Sequence, residues 1–210
     1  MTRTIGIGHQ NFEELVTKNL FYIDKTFFIK EWWENNDVVT LITRPRRFGK
    51  TLNLSMVEYF FSTQYTGKEA LFQNLSIWRN EKYRTLLGTY PVIFISFADV
   101  KETTFHNTRQ KICQLITDLY NRFDFLLDSG LLNSKEKTLY QSISANMEDY
   151  LASGSLKALC DYLMRYYRKK VIILLDEYDT PMQEAYVNGF WDELTSFIRN
   201  LFNATFKSNP

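Results

Sequence analysis

Gly49-Lys50-Thr51 is a residue set suited to holding phosphate. The backbone N–H groups of a glycine turn and of the helix start that follows point at phosphate oxygens, where the helix dipole favours negative charge. In that arrangement Lys50 reaches the β- and γ-phosphates and the Thr51 hydroxyl ligates Mg²⁺. Further along, Asp176 and Glu177 close a continuous apolar run, Val171-Ile172-Ile173-Leu174-Leu175. The C-terminal end of a buried strand is a position from which an Asp holds Mg²⁺. A neighbouring carboxylate, Glu177, would orient or deprotonate an attacking water. Each motif alone is weak, because Gly-Lys-Thr recurs by chance and acidic pairs after strands often form solvated turns. Together, each expected at a strand end, they point to a site for a nucleotide and its metal.

Positioning such residues takes a strand, a tight loop and a helix in that order. The apolar, β-branched residues 38–43 lead into Arg44-Pro45-Arg46-Arg47-Phe48-Gly49-Lys50-Thr51, and 52–61 is helix-compatible. This is a P-loop layout with one departure: the pattern asks for Gly where Arg44 stands. A Cβ there disfavours positive φ, so the loop entry takes another conformation, with Pro45 fixing its own φ. Arg46 and Arg47 either add charge-assisted phosphate contacts or face outward as a basic patch. Thr51 has a plainer role open to it at a helix N-terminus. Asp179 either supports the metal site from behind or caps the turn before Pro181, and the cap is the simpler reading.

Strands are expected at 38–44, 91–98 and 171–176, and helices at 26–34, 105–127, 135–151, 155–168 and 190–206. Alternating strands and helices predict an α/β fold, a P-loop NTPase-type parallel sheet flanked by helices. The long connection before the third strand predicts a helical insertion at about 128–152, bracketed by Gly130 and Gly154. Three strands make a thin sheet for this architecture. The expectation is therefore one P-loop domain over residues 1–210, incomplete in its sheet and the N-terminal part of a longer protein.

Composition narrows the classes. Hydrophobic residues make up 45% and aromatics 16%, with 17 Phe and 13 Tyr, enough for a large core. Net charge is +1, which gives no global basic field for nucleic acid. No apolar run is long enough to span a membrane, and Cys113 and Cys160 read as buried thiols suited to a cytoplasmic protein. His9 and His106 stand apart from any Cys or His, which argues against zinc. Phe27, Phe28, Trp32 and Trp33 read as core rather than as a base-stacking platform. Asp24 or Thr26 reads as a helix N-cap, with the alternative that this segment lies over the nucleotide near its base.

Three stretches carry a resemblance: Tyr22-Ile23-Asp24-Lys25-Thr26, Arg44-Pro45-Arg46-Arg47-Phe48-Gly49-Lys50-Thr51-Leu52, and Leu174-Leu175-Asp176-Glu177-Tyr178-Asp179-Thr180-Pro181. With them the chain resembles the predicted AAA-ATPase-like family of bacterial P-loop proteins, many of which continue into a nuclease-like domain. The resemblance implies that Arg46, Arg47, Phe48, Gly49, Lys50, Thr51 and Leu52 bind ATP. It also implies that Thr51 and Asp176 hold Mg²⁺, and that Glu177 with Lys50 serves catalysis. Hydrolysis coupled to conformational change is the expected function. Alternatives are a nucleotide-gated interaction module with negligible turnover, or a small-molecule phosphotransferase. A GTPase is disfavoured because Asn-Lys-x-Asp does not occur. A homo-oligomer or protein partner fits the resemblance, and nucleic acid would be a partner only through the full-length protein.

Overall fold

The computed structural model describes residues 4–6, 8–43, 45 and 48–206, with the side chain of Ala204 set aside. The chain is α/β, mostly helical, and divides into two compact units, Met1–Val92 and Ile93–Pro210.

The first unit is built from α1 (Phe12–Thr17), α2 (Phe27–Asn35), α3 (Lys50–Phe61) and α4 (Glu81–Arg84), with 3-10 turns at Thr63–Tyr65, Glu69–Leu71 and Ser76–Arg79. Asn11 opens α1 by accepting the Glu14 N–H at 2.9 Å, and Glu13 and Glu14 favour the helix dipole in its first turn. The core is aromatic. Phe12 stacks on Phe72 (5.0 Å between ring centres), Phe72 meets Phe60 edge-on (5.1 Å), and Trp33 stacks on Phe61 (5.6 Å). Such pairs add roughly 0.5–1.5 kcal/mol beyond the area they bury. Trp32 and Trp33 are half-buried and pack on the core ring of Phe61, whereas Phe27 is 54% exposed.

Residues 38–43 are not a strand. Val38, Val39 and Leu41 are 93%, 71% and 63% exposed, and no strand lies beside them among the described residues. β-Branched residues favour a strand only where a ladder partner and a packing surface exist, and here the run has neither.

The second unit carries the sheet. β1 (Val92–Ser96) pairs in parallel with β2 (Ile172–Asp176), close to the expected 91–98 and 171–176. Between them run α5 (Phe105–Arg122), α6 (Phe125–Asp128), α7 (Ser134–Ser142) and α8 (Asp149–Tyr167), followed by α9 (Thr180–Asn188) and α10 (Trp191–Phe206). A capping box starts α7: Asn133 accepts from Glu136 N–H while the Glu136 carboxylate accepts from Asn133 N–H. Gly154 does not bracket a segment but lies inside α8. Ile112, Ile116 and Leu119 of α5, Leu156, Leu159 and Leu163 of α8, and Leu194 and Leu201 of α10 pack with Ile93, Ile95 and Phe97 into one core. Each contributes about 1.5–3 kcal/mol by leaving water. Ile172, Ile173 and Leu175 of β2 are only half-buried. A two-stranded sheet leaves part of the strand uncovered, whereas the unbroken apolar run predicts cover on both faces.

Candidate functional site

The phosphate turn lies in the first unit. Gly49 adopts φ +75°, a left-handed conformation that L side chains rarely hold, and serves as the N-cap of α3. The Asn53 N–H bonds the Gly49 carbonyl at 2.9 Å, so α3 is wound from its first residue. No side chain caps this N-terminus, which leaves the amide groups of its first turn available to an anion. Phe48 is exposed, and Lys50, Thr51 and Leu52 are half-buried. Arg44, Arg46 and Arg47 lie outside the described residues.

Two features of this turn escape a motif search. Lys25 Nζ stands 3.5 Å from the Phe48 carbonyl oxygen, and a Cβ placed on Gly49 would lie 3.6 Å from the same ammonium. Asn53 Oδ1 is buried without a hydrogen-bond partner one turn into α3. Neither is signalled by spacing, because Lys25 reaches the turn from a separate stretch of chain.

Lys25 is held by its neighbours. The Asp24 carboxylate accepts from Thr26 N (2.9 Å), Thr26 Oγ1 (2.6 Å) and Ser76 N (2.7 Å). Burial pushes the Asp24 carboxyl up, but the hydrogen bonds from Ser76 and Thr26 outweigh it and hold it below its ordinary value. Thr26 occupies the N-cap position of α2, yet its hydroxyl bonds Asp24 and Ile77 N–H (3.1 Å) rather than the helix. The expected N-cap roles are therefore replaced by a clamp onto the Ser76–Arg79 turn.

The carboxylate turn lies in the second unit. Asp176 ends β2, is 3% exposed, and its carbonyl accepts the Phe97 N–H at 2.9 Å. Glu177 is exposed and has φ +49°, a left-handed conformation for a non-glycine residue. Its carbonyl accepts the Thr180 N–H (2.9 Å), which fixes the turn into α9. Pro181 sits in the first turn of α9, where its missing N–H removes no helix bond. Asp179 occupies the N-cap position of α9 as expected, but its carboxylate makes no cap bond and accepts from the Gln183 side chain at 2.8 Å. A surface hollow lined by Tyr186, Gly189 and Trp191 lies at the opposite end of α9 from Glu177 and shares no residue with either turn.

Among the described residues, no three His, Cys, Asp or Glu side chains group as a metal site. None of the described helices is long and apolar enough to cross a membrane.

An uncharacterized protein in the vnfD 5′ region of Azotobacter chroococcum mcd 1 is 24% identical over 203 residues, covering 96% of this chain and 34% of the relative. The chain thus spans about a third of that relative's length. No solved structure matches. The family described as Predicted AAA-ATPase matches residues 6–210, nearly the whole sequence, and the chain belongs to that family.

Proposed function

We propose that this chain binds ATP with Mg²⁺ through a P-loop-type turn and hydrolyses it, coupling nucleotide state to a change of conformation. The observation that carries the reading is the left-handed Gly49 opening α3 with no side-chain cap and Lys50 beside it. Together with the family match, this is a donor set suited to an anionic ligand. Lys50 and the first-turn amides would hold the β- and γ-phosphates, with Phe48 and Leu52 flanking them. The Thr51 hydroxyl would be the Mg²⁺ ligand of the first unit, and the Asp176 carboxylate the candidate metal ligand of the second. Bound ATP supplies a phosphoanhydride whose terminal phosphoryl group is open to water. Glu177 would orient that water and take its proton, a role open to an exposed carboxylate on a fixed turn.

Nucleotide binding and turnover test this directly. Lys50→Ala should weaken ATP affinity by more than about tenfold, since it removes charge-assisted hydrogen bonds to phosphate. Unchanged affinity rejects the reading. Glu177→Gln should keep binding while turnover drops by about 10²-fold or more. Binding without turnover in the unmodified chain would select the nucleotide-gated module instead.

A further inference from the structure

We propose that Lys25 is a second phosphate-binding cation at the Gly49 turn, with Asp24 and Thr26 as its positioning residues. The inference rests on the ATP reading above and adds a residue that the Gly-Lys-Thr motif does not contain.

Three observations carry it. First, the ammonium faces the turn itself, 3.5 Å from the Phe48 carbonyl. That distance is the outer limit of a hydrogen bond, so the contact is readily exchanged for a phosphate oxygen. Second, the backbone on both sides is fixed. Asp24 accepts three hydrogen bonds, Thr26 is fully buried, and the Lys25 N–H bonds the Tyr22 hydroxyl at 3.3 Å. That hydroxyl donates to Met56 Sδ at 3.2 Å, and Met56 lies on α3, the helix that Gly49 opens. The segment carrying Lys25 is thereby tied to the element that presents Lys50. Third, no ion pair neutralises the charge among the described residues. Asp24 is occupied by its N–H and O–H donors. Two lysines at one left-handed turn, neither in an ion pair among the described residues, favour a ligand that carries several negative charges. Of the phosphates on a nucleotide, the terminal ones carry the most.

The test is calorimetric binding of ATP, ADP and adenosine to the 210-residue chain in Mg²⁺ buffer, for the unmodified protein, Lys25→Met, Lys25→Arg and Lys50→Ala, with melting of each unliganded protein. Lys25→Met keeps the aliphatic stem and removes the charge. It should weaken ATP about tenfold, ADP less and adenosine not at all, with unliganded melting unmoved. Lys25→Arg should retain most of the ATP affinity. Equal weakening of ATP and ADP with a lower melting temperature would make Lys25 a strut for the Phe48 carbonyl and overturn the proposal. So would an unaltered ATP affinity in Lys25→Met while Lys50→Ala loses binding; the ATP reading survives both results. Failure of the unmodified protein to bind ATP, or indifference to Lys50→Ala, removes both.

Discussion

Glu177 combines a candidate chemical role with a backbone that suits glycine. A left-handed conformation costs an ordinary L residue roughly 1–2 kcal/mol, and such strain persists where its surroundings over-determine it. Here the Thr180 N–H on the Glu177 carbonyl and the start of α9 impose it. Glu177→Gly should therefore raise stability to chemical denaturation by up to about 1 kcal/mol while abolishing turnover. Glu177→Gln should lose turnover with no gain in stability. A less stable Glu177→Gly would show that the side chain contributes more than the strain removes. That Gly49 opens a helix and Asp176 ends a strand is legible in the sequence because both are local patterns. Lys25 at the turn is not, since 23 residues separate it from Phe48, and the Asp24–Ser76 bond spans 52.

Among the elements, the sequence pattern succeeds where an apolar run finds a partner to pack on and fails where it finds none among the described residues. The β1 and β2 runs lie close to their expected places, and the α10 periodicity matches its observed span. The 38–43 run has the same composition as a strand but meets no strand to pair with among the described residues, which a one-dimensional pattern does not reveal. The α9 helix was hidden because Thr180-Pro181 reads as a turn, although Pro is well accommodated in a helix's first turn. Gly154 misled in the same way. It reads as a boundary, yet α8 runs through it and an added Cβ there would meet no atom within 4 Å. Gly154→Ala should thus stabilise the chain by about 0.5–1 kcal/mol, because alanine loses less backbone freedom on entering a helix. A urea titration that moved the midpoint downward would contradict the open surroundings of this position.

For the whole molecule, high pH is the condition that tests both cores. Burial pushes the Tyr22 hydroxyl in the first unit up to about 12 and the Cys160 thiol in the second up to about 12. Burial raises Tyr140 and Tyr120 as well. In each case the fold disfavours the charged form, so the folded value exceeds the unfolded one. The associated stability is complete below the unfolded values, near 10 for Tyr and 8.5 for Cys, and is lost as pH rises toward the folded ones. Denaturation midpoints should hold steady to about pH 8.5 and fall most steeply between about 10 and 12. Tyrosinate absorbance should appear together with unfolding. Tyrosinate forming early while the fold persists would contradict the burial.

The bare run at 38–43 has a consequence for the chain's behaviour in solution. A short, exposed β-branched segment that joins no strand among the described residues is a template on which another copy can add a strand, the first step of aggregation. Its neighbours in sequence are the ones that oppose this. Glu34 and Asp37 precede it, and Arg44, Pro45, Arg46 and Arg47 follow, placing carboxylates at one end and three arginines with a proline at the other. The arginines that mark the phosphate loop are in this respect gatekeepers, and neutralising them would endanger solubility as well as any contact with nucleotide.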